Sequence, residues 1–367
     1  MKKKKVLILC PSPKGTAPTQ RLKYEQYLSL LEHEGYAFTI SPFQTKRFWE
    51  IVYKPGRIAE KIWWTLVGYL RRTFDLLRAP LYDAVFVNLW VTPLGLPFYE
   101  RILFFVNKKV IYDIDDMLFI NKHDHIKNNF IQRLKGHRKP AVLMKHASFV
   151  IGCTPKLEEI AREANKYNNA IDISSTLDEK RFIPVTAYEQ KEIVTIGWTG
   201  THSTIPYLET LQPALAAVSK VRKIRLLVIA NREYSMKDVP TEFIPWREET
   251  EVRDIHRFDI GLYPVVANEW SLGKSSLKAL TYMSIGIPFV ATAYGVNYRI
   301  MQHGIQGFLA LSDDEWTESI ITLIDDVDLR RKMGIAGRKT FEDLYSVKAN
   351  FSKYLHVFNS VILLNSR

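Results

Sequence analysis

Gly273, Lys274 and Ser275 stand between Glu269 and Ser271 on one side and, on the other, an amphipathic stretch that runs through Lys278 and Thr281 to Gly286-Ile-Pro288 and an apolar strand. Such a turn could hold a phosphate. The N–H groups that open a helix have no partner within it, the helix dipole adds positive potential there, and a glycine lets the backbone approach a ligand. Lys274 adds a full charge, and Lys278, four residues on, falls on the same helical face. The same residues also read as a surface helix with two solvated lysines. A P-loop is excluded, because the glycine required five residues before Gly273 is Asn268 and no strand runs directly into the turn.

Two further groups carry chemistry. Asp113, Asp115 and Asp116 follow an apolar run; in an extended segment Asp113 and Asp115 share a face and Asp116 points the other way. The pair could hold a divalent cation, Asp115 or Asp116 could orient a hydroxyl, or the acids could cap the turn after the strand. The turn of Trp198, Thr199, Gly200, Thr201, His202, Ser203 and Thr204 is rich in small and hydroxyl residues. It can line an anion with N–H and O–H groups, or be a strand-to-helix turn with Thr201 or Ser203 as N-cap. His123 and His125 read as surface residues, and His202 and His256 have no partner nameable from sequence.

These residues need rigid elements behind them. A chain of 367 residues, 47% hydrophobic and 25% charged, suits two globular domains. Short apolar runs at 6–10, 37–41, 84–89, 110–113, 149–152 and 170–173 read as strands of a first half. Runs at 193–198, 225–230, 259–263 and 288–292 read as strands of a second. Continuous apolar strands alternating with longer amphipathic segments predict two doubly wound α/β domains with parallel sheets. The expected bounds are 1–185, 186–345 and a last helical segment, 346–367, that returns to the first domain; 177–192 reads as the linker. Ligands of such sheets sit beyond the carboxyl ends of the strands, which is where the Gly15-Thr16 loop, the acidic loop and the 198–204 turn fall. Two such domains that aim loops at one cleft would form a site there.

Charge and cysteine content narrow the setting. Net charge is +12, and residues 1–80 hold fifteen Lys/Arg against six Asp/Glu. A basic first domain suits an anionic partner. The lysine-rich start could pass for a signal peptide, but its apolar run ends after five residues at Pro11, so it reads as a strand. Leu9 argues against lipidation of Cys10. Cys10 and Cys153 read as small core residues, and the expected compartment is the cytosol. No run approaches the ~20 apolar residues needed to span a bilayer.

Tyr112-Asp-Ile-Asp-Asp116, Ile196-Gly-Trp-Thr-Gly200 with Thr204 and Tyr207-Leu208, Trp246 ahead of Phe258-Asp-Ile-Gly261 and Pro264, and the stretch from Trp270 to Pro288 come in an order and spacing that cover most of the chain. In this the sequence resembles the GT-B glycosyltransferases of family 4, in particular a bacterial branch that builds surface polysaccharides. The resemblance implies a retaining transfer of sugar from a nucleotide diphosphate sugar to a lipid-linked or oligosaccharide acceptor, with no metal or other cofactor. It implies donor contacts from Gly15, Thr16, Trp198, Thr199, Gly200, Thr201, Trp246, Glu269, Ser271, Gly273, Ser275, Lys278 and Thr281, and catalytic roles for Asp115, Asp116 and Lys274. Trp246 would border the nucleotide base. One departure stands out: an acidic pair eight residues apart, whose second member binds the ribose, is here Gly273 and Thr281. Glu269 or the Thr281 hydroxyl would have to substitute.

The stretch 57–78 has apolar residues at helical spacing, with Trp63 and Trp64 within it and Arg71, Arg72 and Arg78 near its end. It reads either as a helix that lies on an anionic membrane surface or as one packed on the first sheet. The expected protein is then a cytoplasmic enzyme, peripheral at the inner face of the membrane, with no nucleic-acid partner. A nucleotide-sugar epimerase or hydrolase of the same fold, or a non-catalytic basic membrane binder, are the alternatives.

Overall fold

The computed structural model describes residues 3–52, 54–115, 117 and 136–363. The chain divides into two compact units, the first made of Met1–Ser175, Gly273–Ser275 and Asn350–Arg367, the second of Thr176–Leu272 and Ser276–Ala349. Each unit is built on its own six-stranded sheet.

In the first unit the sheet runs β2 (Tyr36–Pro42), β1 (Lys4–Cys10), β3 (Ala84–Asn88), β4 (Val110–Asp113), β5 (Phe149–Gly152) and β6 (Ala170–Asp172), with every paired strand parallel. Val6 to Cys10, Val85 to Val87 and Val110 to Tyr112 are buried. This is why these runs are apolar throughout rather than alternating: helices cover both faces of a parallel sheet. Helix Val347–Ile362 supplies part of that cover. Tyr354 stacks on Tyr27, Phe358 packs against Tyr36, Phe38 and Phe86, and the Tyr36 hydroxyl donates to Asn359 Oδ1 at 2.7 Å.

In the second unit the order is β12 (Gly307–Ala310), β11 (Phe289–Thr292), β10 (Ile260–Tyr263), β7 (Val194–Gly200), β8 (Ile224–Ala230) and β9 (Thr241–Pro245), again all parallel. Winding starts at β7, moves out through β8 and β9, then returns to its other side at β10. The β7/β10 junction is therefore the switch point, where a crevice opens beyond the strand ends. The two strands missing from the sequence reading, β9 and β12, are the edges of this sheet. Segment 177–192 belongs to the second unit rather than standing apart as a linker: Val185 N–H donates to Ile285 O, and Tyr188 Oη to Gly286 O.

Candidate functional site

Unit 2 gathers its chemistry at the switch point. β7 ends at Gly200, which has no room for a side chain: a Cβ there would lie 2.3 Å from the Trp198 ring and 2.7 Å from Thr204 Oγ1. Trp198 itself is buried in the core of the unit, so it meets the crevice only through its neighbours. The turn beyond is ordered by its own hydroxyls. Thr201 N–H donates to Thr204 Oγ1, and Thr201 Oγ1 and Ser203 Oγ share a hydrogen bond of 2.8 Å. Neither caps the helix that follows, which goes against one of the two readings of this turn; Thr204 occupies the N-cap position and makes no side-chain cap bond. His202, for which sequence offered no partner, donates its N–H to Asn231 Oδ1, and its ring lies 3.3 Å from Asn231 Nδ2.

From β10 the chain passes through a 3₁₀ turn, Glu269–Gly273, and enters helix Leu277–Ser284. The helix thus begins later than the sequence suggests, and the N–H groups at its opening do not belong to Gly273, Lys274 and Ser275. Ser276 is the reason: its φ of 52° is left-handed, which breaks helical continuity, and its hydroxyl donates to Asn297 Oδ1 at 2.7 Å instead of capping. Lys274 precedes the helix, so the shared helical face expected for Lys274 and Lys278 does not exist. Lys278 lies on the first turn, its ammonium 5.5 Å above the Trp198 ring and 5.8 Å from the Tyr263 ring. Those rings come from β7 and β10, so the cation sits at the junction of the two strands, held in part by the negative faces of the aromatics.

Other residues of this stretch take defined positions. Glu269 is exposed. Ser271 is buried, donates its N–H to Asn268, and leaves its hydroxyl with no partner among the described residues. A buried orphan hydroxyl is costly and commonly marks a ligand or water position. Thr281 is buried, and its hydroxyl donates back to Leu277 O at 2.9 Å. Its oxygen can still accept from a ribose hydroxyl, but it is one neutral acceptor where a carboxylate offers two charged ones, so Thr281 is a weak substitute for the acid it replaces. Trp246, after β9, is half-buried; its N–H donates to Ala230 O and its Nε1 to Glu251 Oε1 at 3.1 Å. His256 Nε2 lies 2.8 Å from Ile183 O.

Unit 1 contains the acidic loop, the β1 loop and the short stretch Gly273–Ser275. Asp113 is wholly buried and is not poised on a surface for a metal. Lys23 pairs with it at 2.5 Å and stands 3.8 Å from Asp115, while Asn88 Nδ2 donates to Asp113 Oδ2 at 3.0 Å. Burial opposes the charge on Lys23, yet Asp113 and Asp115 outweigh it and hold the ammonium above its ordinary pKa. Nothing in the sequence pointed to Lys23, ninety residues from its partner. Asp115 is largely buried, and Asp116 lies outside the described residues, as do His123 and His125. Among the described residues no three His, Cys, Asp or Glu side chains gather as metal ligands do.

Gly273 packs so closely on Met117 that a Cβ would come within 2.7 Å of Met117 Cγ, and Ser175 Oγ donates to Ser275 Oγ at 3.0 Å. The sulfur of Cys153 donates to the Asp115 and Gly273 carbonyls. Both cysteines are free and buried, and burial pushes the Cys10 thiol up to about 11. In the β1 loop Gly15, at φ 80°, gives its N–H to Glu25 Oε2 at 2.8 Å, and Thr16 turns its hydroxyl to Pro13 O. Of the residues expected at a membrane, Trp63 is exposed and Trp64 packs against the Phe43 cluster. Arg71 is half-buried and donates to Pro42 O. Arg72 is wholly buried and cannot reach a head group: it pairs with Asp75 at 2.8 Å and donates to the Ser41, Val91 and Cys10 carbonyls.

With that geometry in place, three comparisons bear on the chain. Residues 193–326 match the family described as Glycosyl transferases group 1. No curated protein matches. Among solved structures, sucrose-phosphate synthase from Thermosynechococcus elongatus is similar at 16% identity and a TM-score of 0.70, with 99% of this chain and all of that one covered. HepE from Anabaena, in complex with UDP and glucose, is similar at 15% identity and a TM-score of 0.65, over 97% of this chain and all of that one. The lipopolysaccharide outer core galactosyltransferase WaaB, in its apo form, is similar at 12% identity and a TM-score of 0.63, over 97% of this chain and 99% of that one. The 193–326 stretch, which carries Trp198, Tyr263 and Lys278, thus matches the group 1 glycosyltransferases, and the whole chain has the GT-B fold of these solved structures.

Proposed function

We propose that the chain transfers a sugar, with retention of anomeric configuration, from a nucleoside diphosphate sugar to a lipid-linked or saccharide acceptor in the making of a cell-surface polysaccharide. The observation that carries this reading is Lys278 at the switch point of the second sheet, above Trp198 and Tyr263. A cation fixed there, at the start of a helix whose preceding turn holds the orphan hydroxyl of Ser271, suits a diphosphate. When the bond between the anomeric carbon and the diphosphate oxygen breaks, its electron pair stays with that oxygen. Preorganised cations and N–H groups stabilise the charge without a metal ion. The acceptor hydroxyl passes its proton to the departing diphosphate oxygen as the new glycosidic bond forms, and no protein side chain is assigned as nucleophile.

HepE was solved with UDP and glucose, and WaaB is a lipopolysaccharide galactosyltransferase. These relatives support a nucleotide sugar as donor and a surface polysaccharide as destination for this chain. Within the second unit we place Lys278 on the diphosphate, with Ser271 and the turn of Thr199, Gly200 and Thr201 lining it and Trp246 near the base; Lys274 keeps the diphosphate role that the resemblance implies. Glu269 is then the better candidate for the ribose, since its exposed carboxylate offers two charged acceptors and the Thr281 hydroxyl one neutral one. Asp115 would orient a sugar hydroxyl, and the enzyme would work at the cytoplasmic face of a membrane.

The reading is tested by binding and by product. Lys274→Ala and Lys278→Ala are each expected to weaken nucleoside diphosphate binding by about tenfold or more in calorimetric titration, with thermal unfolding of the free protein little changed. Unchanged affinity in both would remove the assignment. Proton NMR of the sugar product is expected to show the donor's anomeric configuration in a glycoside; free sugar, with or without acceptor, would favour a hydrolase instead.

A further inference from the structure

Helix Ile58–Arg78 is packed in an inverted way. Of its twenty-one residues only Gly68, Arg72, Asp75 and Leu76 are buried, and two of these form an ion pair. Ile58, Ile62, Trp63, Leu66, Leu70, Phe74 and Leu77 are each more than half exposed, Ile58 at 72%, and Leu81 just beyond the helix is 76% exposed. At 3.6 residues per turn, Trp63, Leu66, Leu70, Phe74 and Leu77 fall on the side opposite the buried four, with Ile62 at the edge of that face and Ile58 off it in the first turn. The apolar face continues past the helix. Tyr69 Oη donates to Leu94 O, Thr73 and Tyr99 share a hydrogen bond, and beside them Leu94, Leu96 and Phe98 are again more than half exposed. Scattered apolar side chains on a surface need no explanation, but a continuous face of this length marks a contact.

Its margin is cationic. Lys46, Arg47, Lys54 and Arg57 are exposed, and, with the buried Arg72–Asp75 pair set aside, residues 46–78 hold seven Lys/Arg against Glu50 and Glu60, the latter shared by Arg47 and Arg57. We propose that this face lies in the interfacial layer of an anionic lipid bilayer, with the leucines, Phe74 and Trp63 among the acyl chains and the cations on the head groups. Charge complementarity selects that occupant. A second copy of this chain, docked face to face, would bring like-charged margins together, whereas phosphate head groups match both the apolar strip and its basic edge. Among the described residues no helix is long and apolar enough to cross a membrane, and attachment would be peripheral. The proposal does not depend on what the second unit binds.

Flotation of the full chain with phosphatidylcholine vesicles, with and without phosphatidylglycerol, tests it. The chain is expected to float with the anionic vesicles only, and less so as salt is raised. Replacing Leu66 and Leu70 together by Glu is expected to lower the bound fraction at least about tenfold. Leu311→Glu, at an exposed leucine of the other unit, is expected to bind as the parent does, and all three are expected to unfold at similar temperatures. Failure of the parent chain to float, or flotation of the double variant equal to the parent's, would overturn the proposal. So would self-association in sedimentation velocity that the double variant abolishes without any vesicle binding, since the occupant would then be a second copy.

Discussion

Lys23, Asp113 and Asp115 show how a buried charge is tolerated. Removing the ammonium leaves Asp113 in the interior with Asn88 as its one hydrogen-bond partner among the described residues, so Lys23→Met is expected to destabilise by about 3–5 kcal/mol in urea unfolding. The double variant Lys23→Met/Asp113→Asn should recover much of the loss. Because the pKa of Lys23 is raised in the folded state, its contribution is fully present below the unfolded value near 10.4 and is lost only as pH climbs through the folded one. The Lys23→Met penalty should therefore be constant between about pH 6 and 9; a penalty that vanished within that range would contradict the pairing. The cysteines give a second residue-scale test. With Cys10 buried and its thiol pushed up to about 11, thiolate at pH 8 is on the order of a thousandth of the total, and Cys153 is buried as well. Native protein is expected to resist a disulfide reagent at that pH and to release two equivalents once denatured. The core character of both cysteines was legible in their apolar flanks. The Lys23 pairing was not, because a contact across ninety residues leaves no local pattern.

At the scale of elements, the strands read best where both faces are buried. The runs at 110–113 and 149–152 coincide with β4 and β5, every residue of which is buried. β9 escaped because it is a half-exposed edge carrying Glu242 and ending at Pro245, and β12 because it is an edge strand whose two middle residues are half-buried and which starts with Gly307. The start of helix Leu277–Ser284 was misread for a different reason: a left-handed Ser276 is fixed by its tertiary bond to Asn297, which no helix signal records. Glycines on β7 set how closely elements meet. A Cβ on Gly197 would lie 1.9 Å from the Phe258 ring, so Gly197→Ala is expected to cost about 1–3 kcal/mol in thermal or urea unfolding. A neutral result there would mean that the contact between β7 and Phe258 yields readily.

Across the whole molecule, the end of the chain completes the fold of its beginning. Tyr354, Val357, Phe358 and Val361 are buried in the first unit, against residues such as Tyr27, Tyr36 and Phe86. Ending the chain at residue 346 is expected to destabilise the first unit by more than about 5 kcal/mol, seen as an early transition in urea; an unchanged curve would contradict this packing. Two doubly wound parallel sheets were legible from apolar runs alone, and the order of motifs carried the resemblance to glycosyltransferases. Sugar, base and acceptor were not, because they rest on side chains at loop tips, where sequence periodicity is silent. The central claim is that the second unit presents a diphosphate site at its switch point that needs no metal. Thermal unfolding with UDP, GDP, ADP, CMP and dTDP, each in the presence and absence of EDTA, tests it most directly. A ligand at about 100 times its dissociation constant stabilises by roughly 2.7 kcal/mol. The account expects one nucleoside diphosphate to raise the unfolding temperature equally with and without EDTA. A shift that EDTA abolishes, or no shift with any nucleotide, would contradict it.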